Sequence, residues 1–201
     1  GPWDMRRILG TVPVREDGSV AFNVPANMPI AVQPLDAEGK AVQLMRSWFT
    51  AMPGERVSCA GCHERQSSSP AVKRASAFTL QPTPIQPWYG PPRGFSFAHE
   101  VQPVLDKYCI KCHNGDPKLP DLRDGDAGDI VEIKNKRGKV KRKISGFSIA
   151  YRNLNRFVYR PGPESDYHIL NPMEYHADVS ELAQMLRRGH HDVRLDAQSW
   201  D

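Results

Sequence analysis

The stretch C-A-G-C-H, Cys59 to His63, returns fifty residues later as C-I-K-C-H, Cys109 to His113. All four cysteines of the 201-residue chain lie in these two pairs, and each pair runs straight into a histidine. Attachment of a c-type haem asks for this arrangement. Two thiols form thioethers with the porphyrin vinyl groups, two intervening residues span the edge between them, and the next residue presents an imidazole to the iron. The reading is two covalently bound haem c groups. Cys59 and Cys62 hold the first with His63 as proximal ligand, and Cys109 and Cys112 hold the second with His113 as proximal ligand.

Two other chemistries use paired cysteines. A zinc ribbon usually separates its pairs by roughly 15 to 20 residues, whereas 46 lie between Cys62 and Cys109. A thioredoxin-like pair belongs in a βαβ unit, and no such pattern surrounds either motif. A zinc-stapled, non-redox binding module stays open as an alternative.

The distal ligands are less legible. Beyond the motifs the histidines are 99, 168, 176, 190 and 191, with Met173 and Met185 as sulfur donors. For the second haem the chain has to return over the opposite porphyrin face, so the ligand should lie well after His113. His190, just past a glycine that ends a helical pattern, is best placed as iron ligand, with His191, His176 and Met173 as rivals. A methionine would raise the reduction potential relative to two histidines, so the choice decides which partners can exchange electrons. For the first haem only His99 is a weak candidate; otherwise that iron is five-coordinate and open to a small molecule.

Outward from the motifs, three stretches differ in texture. From Ile8 to about Glu55 the run GSVAFNV alternates Val20, Phe22 and Val24 on one face, and Val42, Leu44 and Trp48 do much the same. The turns REDGS and DAEGK place glycines where left-handed backbone is needed. Pro13, Pro25, Pro29 and Pro34 confine such strands to sheet edges. From Glu64 to Gly94 serine and then proline dominate, which excludes a helix and reads as an extended connection resting on a surface through Trp88 and Tyr89. From Phe95 onward Phe97, Val101, Val104, Leu105 and Tyr108 share one face of a helix that runs into Cys109, with Pro103 marking a first turn or a kink. A β-hairpin turning near Lys136-Arg137-Gly138 follows. Asp178 with Glu181 opens a last helix, Val179, Leu182, Met185 and Leu186 form its stripe, and Gly189 stops it.

The fold class expected is therefore α+β and multidomain. A small antiparallel β-sandwich with a haem-binding segment comes first, followed by a mainly α, cytochrome c-like domain with a β-hairpin insertion. The domains expected are 1–66, a linker at 67–94, and 95–201. Each module is near the size at which a core alone is marginal, and a covalently held porphyrin supplies apolar surface.

Net charge is +4 and uneven. Lys134 to Lys143 holds seven cations and no acid, while Asp121 to Asp129 holds four aspartates and one arginine. The basic run reads first as a solvated face and second as a guide for an acidic partner. Without stacking aromatics or a recognition helix it does not point to nucleic acid. Asp124, Asp126 and Asp129 lack the full spacing and closing glutamate of an EF-hand calcium loop. No apolar run is long enough to span a bilayer, so no membrane insertion is expected. Gly1-Pro2 with an internal methionine reads as a leftover of expression, and the chain as a piece of something larger. Haem c is attached outside the cytoplasm, which makes the bacterial periplasm the expected compartment.

Two long runs carry a family resemblance. GTVPVREDGSVAFNVPANMPIAVQPLDAEGKAVQLMRSWFTAMPGERVSCAGCHE, from Gly10, resembles the middle domain of the hydrazine synthase alpha subunit family. FSFAHEVQPVLDKYCIKCHNG, from Phe95, and SELAQMLRRGHHDVRLDAQSW, from Ser180, resemble the cytochrome c domain that follows it. The resemblance implies a haem at a catalytic centre on His63, and an electron-transfer haem on His113 with His190 as its sixth ligand. It also implies a β-propeller ahead of both domains. One departure stands out: the family has a tyrosine shortly after the first motif, where this chain has Glu64-Arg65-Gln66-Ser67-Ser68.

Three functions follow. The leading one is a di-haem electron-transfer module of a larger periplasmic oxidoreductase, exchanging electrons with a redox partner protein or a neighbouring domain. The second makes the first haem five-coordinate and catalytic, with hydrazine synthase-like or peroxidase-like chemistry. The third is the zinc-stapled module.

Overall fold

A computed structural model of the chain describes residues 6–61, 67–68, 70–71, 74–125, 130–134, 137–162 and 170–201. The chain divides into two compact units, Gly1–Phe95 with Arg160–Ala177, and Ser96–Tyr159 with Asp178–Asp201. The boundaries read from composition, at residues 66 and 94, mark changes of texture. The units follow neighbours in space, and Arg160–Ala177 rejoins the first.

Unit one is built from turns and short bridges. Strand β1 (Arg7–Ile8) pairs antiparallel with β2 (Arg93–Gly94), Arg7 opposite Gly94 and Ile8 opposite Arg93. Isolated bridges join Thr11 to Gln86, Ile30 to Phe49 and Leu35 to Ala41. Among the described residues this pairing does not amount to the antiparallel sandwich that alternation suggested. Proline supplies no backbone donor, and four of them interrupt the segment before residue 35. Val20 and Trp48, expected inward, are 39% and 55% exposed. The buried residue of the second run is Gln43, whose Nε2 donates to Leu170 O at 2.9 Å. Ile30, Ala51 and Leu170 are the buried apolar side chains here.

The two glycine turns form where the sequence places them. Asp17 Oδ1 accepts from Ser19 N at 3.0 Å, with Gly18 at φ +78°. Asp36 Oδ1 accepts from Glu38 N and Lys40 N at 3.0 and 2.8 Å, with Gly39 at φ +83°. The proline-rich stretch is tied into this unit: Thr83 N donates to Ala21 O at 2.7 Å, and Thr11 and Gln86 exchange two bonds of 2.9 Å. Gly10, at φ +136°, allows that approach, since a Cβ there would run into the Gln86 carbonyl. Trp88 carries the Arg93 guanidinium over its ring at 5.4 Å.

Unit two begins with a π-helical turn, Phe97–Val101, that hands over to α1 (Gln102–Tyr108). Pro103 sits in the first turn of α1, where its missing N–H costs nothing. Leu105 of α1 packs with Leu122 and with Ala150 of α2 (Ile149–Leu154), and Phe97, Val101, Cys109 and Leu154 close around them. Helix α2 was not expected from the sequence. Ser148 caps it by accepting from Tyr151 N at 3.2 Å, and a 3-10 turn, Asn155–Phe157, extends it.

The hairpin forms as β3 (Ile130–Lys134) against β4 (Val140–Ser145), antiparallel, with Gly138 at φ +73° in the turn. Helix α3 (Glu181–Arg188) ends at Gly189, φ +96°. Asp178 does not cap α3. Ser180 holds the N-cap position, and the Asp178 carboxylate instead pairs with Arg187 Nη1 at 2.9 Å. A short α4 (Ala197–Trp200) closes the chain with Asp196 as its cap, accepting from Ser199 N at 2.9 Å. No helix among the described residues is long and apolar enough to cross a membrane.

Candidate metal centre

The second cysteine motif leaves α1 without breaking its winding. Cys109 N donates to Leu105 O at 2.8 Å, and Cys112 N and His113 N both donate back to Cys109 O, at 3.1 and 3.0 Å. One tight turn thus carries both thiols and the imidazole. Neither Cys109 nor Cys112 is in a disulfide. Cys109 is half-buried against the Leu105–Leu122–Ala150 core, which raises its thiol pKa, and Cys112 is exposed.

His113 is held by a loop that returns over it. Its Nδ1 lies 2.9 Å from Pro120 O. A carbonyl only accepts, so Nδ1 carries the proton and Nε2 keeps its lone pair for a metal. The loop is stiffened on both sides of Pro120. Leu122 N donates to His113 O at 3.1 Å, Asp116 caps its own turn through Lys118 N at 2.9 Å, and Asp121 takes the Arg123 guanidinium at 2.8 Å. Asn153 of the second helix donates to Asp121 O at 2.9 Å.

His190 faces His113. The ring centroids are 6.0 Å apart and the planes are within 28°. Burial first, then the charges of His191 and His113, lower the His190 pKa and favour the neutral, ligating form. Gly189 supplies the left-handed exit from α3, and His191 and Asp192 follow at φ +47° and +61°. This sharp turn separates the neighbours: His190 is half-buried beside His113, while His191 is exposed, 4.7 Å from the His190 ring.

The other ligands named from the sequence fall elsewhere. His176 is 3% exposed in unit one, and its Nε2 is 2.8 Å from Asp36 Oδ2. Met173 belongs to the same unit, with its backbone N bonded to Val42 O at 2.8 Å and its side chain exposed. His99 is exposed within the π-helical turn. Of the first motif, Cys59 is exposed, while Cys62 and His63 lie outside the described residues, as do His168, Asp126 and Asp129.

Among the described residues no three His, Cys, Asp or Glu side chains converge to cage a metal ion. A closed zinc site needs four such donors. A haem iron asks for protein donors only along its axis, with thiols at the porphyrin edge, and His113, His190, Cys109 and Cys112 fit that demand. Sequence reading missed the carbonyl that orients His113. A proline seven residues past the motif was the available signal.

Residues 1–64 match the family model of the hydrazine synthase alpha subunit middle domain, so the match ends just past Cys59–His63. Hydrazine synthase subunit alpha of Kuenenia stuttgartiensis is 23% identical over 76% of this chain and 24% of its own length. The chain therefore spans about a quarter of that relative. No solved structure matches. Through the middle-domain match over its first third and the more distant likeness beyond it, the chain is similar to hydrazine synthase alpha subunits.

Proposed function

We propose that this chain is a di-haem c-type cytochrome segment of a larger periplasmic oxidoreductase complex. Its second haem is held by Cys109 and Cys112, with His113 and His190 as axial ligands, and passes electrons to a redox partner protein or neighbouring domain. The observation that carries this reading is the pairing of the two histidine rings at 6.0 Å, with His113 Nδ1 turned to a carbonyl. Two imidazole ligands close the iron to small molecules and leave electron transfer as its chemistry. Cys59, Cys62 and His63 hold the first haem in the same way.

A second reading gives the first haem a catalytic role. It is favoured by a middle-domain match that runs through Cys59 and His63, in a relative named for hydrazine synthesis.

A pyridine haemochrome assay with reduced spectra before and after CO tests both. Two haems per chain and no CO shift support a pair of electron carriers. Two haems with one CO-binding iron move the second reading ahead. A chain with zinc and no covalent haem overturns both and leaves a zinc-stapled module.

A further inference from the structure

The loop that presents His190 is fastened to the helix that presents the cysteines. Asp196 Oδ2 lies 2.8 Å from Lys107 Nζ and accepts from Tyr108 Oη at 2.9 Å. Its other oxygen accepts from Ser199 N at 2.9 Å and starts α4. Lys107 and Tyr108 immediately precede Cys109, and Lys107 also lies over the Tyr108 ring at 4.8 Å. The far end of the loop is anchored by α3, where Arg187 binds Asp178 and stacks on Trp200 of α4 at 5.9 Å. Between these anchors three of the four residues 189–192 have positive φ, Gly189, His191 and Asp192, and the turn is closed by Val193 N on His190 O at 2.9 Å.

We propose that Asp196 is a positioning residue for the axial ligand: by binding Lys107 and Tyr108 it closes the loop 189–196 onto the helix bearing Cys109, and so holds His190 opposite His113. This rests on the reading of His190 as the sixth ligand. A loop with left-handed non-glycine residues resists its own conformation, and an anchor on the motif helix offsets that tendency. Because the anchor sits beside Cys109, ligand and porphyrin attachment are registered on one helix.

The test uses the full chain with both haems attached. Asp196→Ala is compared with wild type, Tyr108→Phe, Asp196→Asn and His190→Ala for spin state and for CO bound per chain. His190→Ala should bind one more CO per chain than wild type. Asp196→Ala should bind that same additional CO more slowly than His190→Ala, since the ligand is loosened rather than removed when the Lys107 and Tyr108 contacts are lost. Asp196→Asn, which keeps an acceptor for Tyr108 and the α4 cap but loses the charge that pairs with Lys107, should fall between wild type and Asp196→Ala. Tyr108→Phe gives a smaller shift and keeps the test alive should Asp196→Ala not fold. Asp196→Ala and Tyr108→Phe that melt earlier but keep a low-spin, CO-inert second haem overturn the clamp, leaving a structural role alone. No gain of CO in His190→Ala overturns the ligand reading and the clamp with it.

Discussion

His113 is fixed twice, its backbone by the turn from Cys109 and its ring by Pro120 O. The cysteine spacing announced the residue, but its tautomer came from a carbonyl seven positions away. His176 shows the converse. Its sequence position made it a rival ligand, yet it is buried against Asp36, whose carboxyl is held down to about 2, chiefly by the Lys40 backbone N–H and further by His176. A carboxyl with a depressed folded-state pKa contributes stability above its usual value near 4, and loses it as pH falls toward the depressed one. Wild-type urea midpoints should therefore fall between about pH 4 and pH 2, and Asp36→Asn should be flatter over the same interval. Equal slopes for the two proteins would remove Asp36 from the acid response.

Helix α1 turned out where its apolar face predicted, and Pro103 found its tolerated place because a π-helical turn precedes it. Leu105 connects that helix to the core and to Cys109. Leu105→Ala should cost about 2–5 kcal/mol in chemical denaturation and speed hydrogen exchange at the Cys109 amide. Helix α2 escaped the sequence reading, since its six residues carry too little periodicity. Its Ser148 cap is nevertheless local chemistry. Ser148→Ala should lower stability by about 1 kcal/mol in the same measurement, and a loss within error would mean that Leu122 and Leu105 hold α2 without it.

For the whole molecule, each unit buries three apolar side chains among the described residues, Ile30, Ala51 and Leu170 in one, Leu105, Leu122 and Ala150 in the other. Cores of that size are marginal alone. Arg137 and Lys139 are exposed beside the β3–β4 turn, within the run of seven cations. Replacing both by Glu in the reduced, haem-loaded chain should slow its oxidation by ferricyanide severalfold at low ionic strength. The difference should close toward 1 M salt, where the screening length is about 3 Å. A rate indifferent to both changes would leave the hairpin a solvated face.

The cysteine–histidine motifs, the glycine turns, the helix into Cys109 and the basic hairpin were legible because each is set by residues close in sequence. Cysteine–histidine spacing, left-handed turn geometry and helical periodicity are local constraints. Tertiary structure alone gave His176 to Asp36, buried Gln43 in place of Val42 and Trp48, and returned Arg160–Ala177 to unit one. Each of these is a choice among distant partners, decided by which side chains the packed chain brings within bonding distance, and no local pattern along the sequence encodes that.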